Sequence, residues 1–175
     1  CWEPLSPQAV GNSIYGLRRF EDCPEVRKVL AAFARKIAET TSIFKSQEIG
    51  IALFGLQRQP DSPECQMVIS ALAAKIVQSE EALGQQAIGN SLFGLQRQTN
   101  SQSTKMVLSA LIPRINNCKE VLTATSVSNT LFGLQNLGDS EESRSLIRVL
   151  APRIMSSKES MVSQQLGAAF YGLRR

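Results

Sequence analysis

The chain has 175 residues, 43% of them hydrophobic, and 19 lysines and arginines outnumber 15 acidic residues to leave a formal net charge of +4. No apolar run approaches the roughly 18 residues that a membrane-spanning helix needs, so the sequence predicts no membrane span. The chain contains no histidine, and its four cysteines have no CxxC spacing, which argues against a zinc site and against a Ser/His or Cys/His catalytic pair.

Glycine recurs with a period of 39 residues, each time between an aromatic residue and a leucine. The five positions are Gly16, Gly55, Gly94, Gly133 and Gly172. Such a period is typical of an α-solenoid, in which a unit that cannot cover its own apolar face stacks on copies of itself. We therefore predict an all-α solenoid of antiparallel helix hairpins.

One repeat domain is predicted over residues 1–175. Its repeats are residues 1–39, 40–78, 79–117 and 118–156, followed by a half repeat at 157–175. The chain begins without Met and stops within a repeat, so we expect it to be a fragment of a longer array. Cys1 and Cys118 share a position in the repeat but lie three repeats apart, too far to be bridged within the chain.

The first predicted helix of each repeat is called helix A. In repeat one, Val10, Ile14 and Leu17 have the i, i+4, i+7 spacing of a buried helical stripe. In repeat two, the same pattern predicts a helix over Ser46 to Gln59. Glycine inside a helix costs about 1 kcal/mol relative to alanine, so its recurrence in helix A predicts close contact with a neighbouring backbone.

The second predicted helix, helix B, follows a turn rich in proline, aspartate and serine. In repeat two it is predicted over Pro63 to Gln78, with Val68, Leu72 and Ile76 on one apolar side. Connections of about four to five residues make neighbouring helices antiparallel.

Amides and bases share a second face of helix A. Projected at 100° per residue, Gln8, Asn12 and Arg19 lie in one sector with the ring of Tyr15. The candidate RNA-binding residues on helix A are Gln8, Asn12, Arg19, Gln47, Arg58, Gln86, Asn90, Arg97 and Asn129. Amides can reach base edges, rings can stack on bases and guanidinium groups can hold phosphates. The rings could instead be wedged between repeats, and variation among the amides could be neutral drift.

A row of bases recurs near the end of helix B. Its members, also candidate RNA-binding residues, are Lys36, Lys75, Arg114 and Arg153. One base per repeat could follow a phosphate backbone. The alternative is that these bases complement the negative end of the helix B dipole.

The segment GQQAIGNSLFGLQRQ, residues 84–98, resembles the helical repeats of the octotricopeptide-repeat and FAST-kinase-like families. The chain departs from those families by placing Phe or Tyr where they favour Trp, and Gly where they favour Ala. The resemblance implies an α-solenoid that binds single-stranded RNA in RNA maturation, translation or ribosome assembly, inside a mitochondrion or plastid.

No catalytic role and no cofactor are predicted, because neither a histidine relay nor a GxxxxGK[ST] or GxGxxG phosphate loop occurs in the sequence. The charge is modest, so a second interpretation stays open. The same surfaces could bind a polypeptide, in which case the chain would be a protein-interaction scaffold or an accessory subunit of a large complex.

Overall fold

The structure, a computed structural model, describes residues 4–174. Within that range it contains nine α-helices and no strand, which confirms the all-α prediction. The helices are α1 (Pro7–Leu17), α2 (Pro24–Glu39), α3 (Ser46–Gly55), α4 (Pro63–Gln78), α5 (Gln85–Gly94), α6 (Gln102–Asn116), α7 (Ala124–Phe132), α8 (Glu141–Met155) and α9 (Ser163–Leu173). Odd-numbered helices correspond to the predicted A helices and even-numbered ones to the B helices. The outer limits of the predicted domain, residues 1 and 175, lie outside the described residues.

The A helices are shorter than predicted. In repeat two the expected end at Gln59 is wrong, because α3 ends at Gly55. The chain then tightens into turns in which the Leu56 amide donates to the Leu53 carbonyl (3.0 Å) and the Gln59 amide donates to the Leu56 carbonyl (2.8 Å). These short-range bonds replace the helical ladder and leave Gln59 buried beneath the turn.

Helices of one kind pack on one another. Each A helix contacts the A helix of the next repeat, from α1 through to α9, and each B helix contacts the next B helix, from α2 through to α8. One continuous hydrophobic cluster joins the two layers, and residues such as Leu53, Leu72 and Leu92 are fully buried in it. Burial of these leucines supplies the main driving force for packing, at roughly 25 cal/mol per Å² of apolar surface.

Four of the recurring glycines make the close approach that their position predicts. A Cβ built on Gly94 would lie 2.8 Å from the Phe54 nitrogen and closer still to the Leu53 carbonyl oxygen. Corresponding conflicts with the preceding A helix would occur at Gly55, Gly133 and Gly172. The fifth glycine, Gly16, differs, since no heavy atom of the described residues lies within 4 Å of its added Cβ.

Glutamates bridge successive repeats at the start of the A helices. Each accepts a hydrogen bond from the first helical amide of the preceding repeat. The bonds run from Ser46 N to Glu81 Oε2 (2.7 Å), from Gln85 N to Glu120 Oε2 (2.9 Å) and from Ala124 N to Glu159 Oε2 (2.7 Å). A carboxylate at a helix N-terminus satisfies a free amide and complements the helix dipole, so these bonds help to hold repeats two to five on one another.

Candidate functional site

The exposed face of the A helices brings together the amides that the sequence singled out. Gln8, Gln47 and Gln86 occupy one position in successive repeats and are exposed. The position four residues later in each helix holds Asn12, which is exposed, and Asn90 and Asn129, which are half-buried. We call these six side chains the amide rows; within residues 4–174, none of their side-chain amides has a hydrogen-bond partner.

Two grooves between neighbouring A helices are lined by five of these six amides. The groove between α1 and α3, of about 260 Å³, is lined by Gln8, Asn12 and Gln47 with Ile51. A second groove, of about 470 Å³ between α3 and α5, is lined by Gln47, Ile51, Gln86 and Asn90. Each groove therefore receives side chains from two consecutive repeats. Since an amide both donates and accepts, each groove offers hydrogen bonds of both kinds to a ligand.

The arginine row, made up of Arg19, Arg58 and Arg97, lies just beyond the ends of the A helices and is exposed. Arg97 Nη1 donates to the Arg58 carbonyl of the preceding repeat at 3.1 Å, and its other donors remain available. The guanidinium groups of Arg19 and Arg58 have no hydrogen-bond partner among the described residues. In repeat four, Asn136 takes the place of arginine and donates to the Gln96 carbonyl at 2.7 Å.

The aromatic rings of the A helices stack on one another, as the interpretation of rings wedged between repeats predicts. Four stacked pairs join Tyr15, Phe54, Phe93, Phe132 and Tyr171, with centroids 6.0, 5.6, 5.4 and 5.6 Å apart and planes 21° to 24° from parallel. Because both faces of each phenylalanine ring meet another ring, those faces are not open to nucleic-acid bases. The guanidinium groups of Arg18 and Arg174 lie 4.1 and 3.5 Å from the centroids of the two tyrosine rings.

The basic row of the B helices is directed at backbone carbonyls. Three members donate to the end of the preceding B helix or to the residues just after it. The bonds run from Lys75 Nζ to Thr40 O, from Arg114 Nη2 to Val77 O (3.2 Å) and from Arg153 Nη1 to Cys118 O (2.6 Å). Lys36, which has no preceding B helix among the described residues, pairs with Glu39 at 2.8 Å. This geometry favours the helix-dipole interpretation, with the preceding helix as the acceptor.

Buried glutamines form a second inter-repeat ladder that sequence reasoning missed. Gln59 Nε2 donates to the Phe20 carbonyl at 3.2 Å, and Gln98 Nε2 donates to the Gln59 carbonyl at 2.9 Å. Both glutamines are fully buried. Their recurrence 39 residues apart, directly after a turn, was the available signal. Cys65 Sγ lies 3.8 Å from Gln98 Oε1, and burial raises the pKa of the Cys65 thiol to about 12.

Within residues 4–174 we find no disulfide bond, no metal-binding cluster and no membrane-spanning helix. Cys23, Cys65 and Cys118 are free thiols, whereas Cys1 lies outside the described residues. No group of three or more Cys, Asp or Glu side chains there is arranged to hold a metal ion. None of the helices in that range has the length and apolar character needed to cross a membrane.

Comparisons with protein families, with curated proteins and with solved structures find no match to this chain.

Proposed function

We propose that the chain is an α-solenoid with a 39-residue repeat and that the exposed face of its A helices binds single-stranded RNA. The observation that carries this proposal is the set of six side-chain amides without partners among the described residues, five of which line grooves to which successive repeats contribute. Single-stranded RNA exposes base edges with mixed donors and acceptors, and glutamine and asparagine match both. The resemblance to octotricopeptide repeats supports the same ligand.

Phosphate contacts are assigned to the arginine row. Arg19, Arg58 and Arg97 occupy the same position in repeats one to three, on the same helix layer as the amides, so an RNA strand crossing those three repeats meets one guanidinium at each. The bases of the B helices are a weaker choice, because Lys75, for example, is buried against the Thr40 carbonyl. We therefore place the phosphate track on the A helices alone.

In this proposal the aromatic rings of the A helices position the helices and do not contact the RNA bases. They fix the spacing of the A helices through their own stack, and base recognition falls to hydrogen bonds at the amide rows. Substituting one amide, such as Gln86→Ala, should remove about 1 kcal/mol of binding, roughly a fivefold loss in affinity, for RNAs that present the matching base edge. Affinity for other RNAs should change little, because no phosphate contact is lost.

Salt titration tests the RNA proposal. Each phosphate neutralised on a single strand contributes about 0.7 to the log–log slope of affinity against salt, so three arginines give a slope near 2 and about a 20-fold loss between 50 and 200 mM salt. Replacing Arg19, Arg58 and Arg97 together by glutamine should weaken binding at low salt and flatten the slope. The measurement is fluorescence anisotropy with a labelled, unstructured RNA.

A matched control separates the A-helix face from overall charge. Lys28, Arg35 and Arg148 are exposed bases on B helices, and their joint replacement by glutamine also removes three positive charges. This control variant should bind RNA with the same log–log slope of affinity against salt as the unmodified chain. Equal weakening by both triple variants, or no measurable RNA affinity at 50 mM salt, would overturn the proposal.

The site of action is proposed from the resemblance alone to be the interior of a mitochondrion or plastid. Imaging of the natural gene product fused to a fluorescent protein tests this, and a signal outside both organelles would contradict it.

The second candidate function is a protein-interaction scaffold, which one observation favours. A groove of about 400 Å³ on the B helices α4 and α6 is lined by Val77, Met106 and Pro113 together with alanines. Exposed methionine adapts to many polypeptide surfaces. A scaffold would show little RNA affinity at any salt and would bind a defined protein in a manner sensitive to Met106→Lys.

A further inference from the structure

Two grooves on the layer of B helices are copies of one another. The first, of about 480 Å³, lies between α2 and α4, and the second, of about 400 Å³, lies between α4 and α6. Every residue that lines the first groove has its counterpart 39 residues later in the second, so that Ala34 and Met67 match Ala73 and Met106. Each groove lies between two packed helices, and it would persist if further repeats were added to the array.

Small and flexible side chains shape both grooves. Alanines line each groove from both of its helices, and each groove also has one exposed methionine. Met67 is 46% exposed and Met106 is 44% exposed, and Val77 in the second groove is 63% exposed. A methionine side chain can change its conformation to pack against many apolar surfaces. The two grooves therefore offer apolar contacts at the same position of two consecutive repeats.

The next junction, between α6 and α8, shows that the fold does not require these grooves. Arg148 stands where the two grooves have Ser70 and Ser109, and Ser145 stands where they have methionine. Helix α8 nevertheless packs on α6 as the earlier B helices pack on one another. Since arginine and serine are accommodated at these positions, the exposed methionines are not explained by the packing of the repeats.

The separation of the two grooves favours a helical partner. Packed helices lie about 8 to 10 Å apart, so the grooves are about this far from each other. Residues seven positions apart on one face of an α-helix are about 10.5 Å apart along its axis. Residues on one face of an extended strand are instead separated by multiples of about 7 Å, which match the grooves less well. Between the grooves, the outward face of α4 carries Ser70 and Ala74, so a helix that crosses α4 there meets small side chains.

The charge around the grooves favours an acidic partner. Arg35 lines the first groove and Lys105 lines the second. Lys28 and Arg148 are exposed on the B helices to either side. Among the described residues, Glu142 is the one acidic side chain that lines either groove, and its carboxylate bonds to its own backbone amide at the start of α8. An apolar surface flanked by bases is complementary to an amphipathic segment with acidic flanks.

We propose that the two grooves bind an amphipathic helix of a protein partner, with two large apolar side chains seven positions apart and acidic residues beside them. The helix crosses the layer of B helices and places one apolar side chain in each groove, and its acidic residues pair with Arg35 and Lys105. This proposal rests on the second candidate function, whose partner it specifies. It is compatible with RNA binding, because the exposed face of the A helices stays free.

Fluorescence anisotropy with the whole chain and a labelled, alanine-based peptide of about 18 residues tests the proposal. The peptide carries two leucines seven positions apart with glutamates beside them, and it should bind with a Kd in the micromolar to sub-millimolar range. A control peptide of the same composition has its leucines four positions apart and can fill one groove only. It should bind at least about tenfold more weakly, because one leucine is left exposed.

Ser109→Arg separates binding in the groove from simple attraction between charges. The variant places in the second groove the side chain that α8 carries as Arg148, so the fold should accommodate it. Binding in the groove predicts at least about a fivefold loss in affinity for the peptide, whereas charge attraction alone predicts a gain. Met106→Ser, which copies Ser145, should also weaken binding by about fivefold. Ser42→Arg adds the same charge in an exposed turn and should bind the peptide at least as tightly as the unmodified chain.

The two triple variants used for RNA binding distinguish this proposal from the proposed RNA site. Glutamine at all three positions of the arginine row should weaken RNA binding and leave peptide binding unchanged. Glutamine at Lys28, Arg35 and Arg148 should weaken peptide binding and leave RNA binding unchanged. Failure of one proposal is therefore detected without affecting the other.

Three results would each overturn the proposal: no binding of the peptide at sub-millimolar concentrations of the chain, equal affinity for the two peptides, or an affinity of Ser109→Arg that is unchanged or raised. Circular dichroism verifies that each variant is folded before its affinity is compared.

Discussion

Gly94→Ala isolates the close contact on which the A-helix packing depends. The substitution adds one methyl group to the middle layer of A helices. That methyl group would meet the backbone of α3, 2.8 Å from the Phe54 nitrogen and nearer to the Leu53 carbonyl oxygen. A flexible side chain could move away, but both of these atoms belong to a helix that is itself held by hydrogen bonds and packing.

Relief of the conflict requires α5 to retreat from α3 by on the order of 1 Å, which loosens the buried contacts of Leu53 and Leu92. Overpacking of this kind costs about 3 kcal/mol at its upper range. Alanine regains at most about 1 kcal/mol through its better helix propensity, because Gly94 is the last residue of α5. The net expectation is a loss of about 2 kcal/mol, or a fall in Tm of about 4 to 8 °C for a chain of this length.

Gly16→Ala is the matched control, because it makes the same chemical change at the same position of the repeat. Its Cβ meets no heavy atom of the described residues within 4 Å. Only the helix-propensity gain of at most about 1 kcal/mol then applies, and Tm should rise by at most about 2 to 4 °C. Thermal melts followed by circular dichroism at low protein concentration measure both. Equal shifts for the two variants would refute the argument from close contact.

Three further predictions concern buried groups. Gln98→Ala removes a buried amide and its hydrogen bond to a carbonyl of the preceding repeat, so urea denaturation should show that the free energy of unfolding falls by about 2 to 3 kcal/mol. An unchanged denaturation midpoint would contradict a stabilising role for the buried glutamines. Lys75→Glu should lower the free energy of unfolding by about 3 kcal/mol or more, because it turns a buried carboxylate toward backbone carbonyls. Lys36→Glu on the first B helix, where no preceding B helix is described, should lower it by less than about 1 kcal/mol. Equal losses for the two variants would count against the bond from Lys75 to the preceding repeat. Burial holds the pKa of Cys65 near 12 instead of 9.0, so iodoacetamide at pH 8 should modify Cys23 before Cys65, as read by peptide mass mapping. The stabilisation from the protonated Cys65 thiol is complete below pH 9 and is lost as the pH rises toward 12.

The helix pairs and the close contacts of the glycines were predictable from the sequence. An apolar stripe at i, i+4 and i+7 identifies a buried helix face without reference to any neighbour. The pattern predicts that Gly94 lies inside a helix, where glycine is costly unless a backbone lies against it. In the structure Gly94 is the last residue of α5, and the close backbone contact is present. The apolar stripe and the glycine position are both local sequence features, so they can be interpreted without knowledge of the tertiary structure.

The partners of the polar rows were not predictable in the same way. Lys75 and Arg58 both recur as bases with the same period, yet one is buried against a carbonyl and the other is exposed. The difference arises because the side chain of Lys75 reaches the end of the preceding B helix, which depends on the offset between stacked helices. That offset is set by packing between repeats, so it cannot be predicted from the spacing of residues within one repeat.

Periodic recurrence alone therefore does not distinguish a binding residue from a structural one. Junctions between repeats present helix termini with free amides and carbonyls, and residues such as Glu120 and Arg153 satisfy them at successive junctions. Such residues must recur because the same need recurs. Gln86 and Asn90 satisfy no such need within the described structure, and Ile51 stands at the position of Asn90 in the preceding repeat without disturbing the packing. A surface that recognises a varying ligand requires side chains that have no internal partners and that tolerate change, and this is the physical reason for proposing that the amide rows recognise RNA.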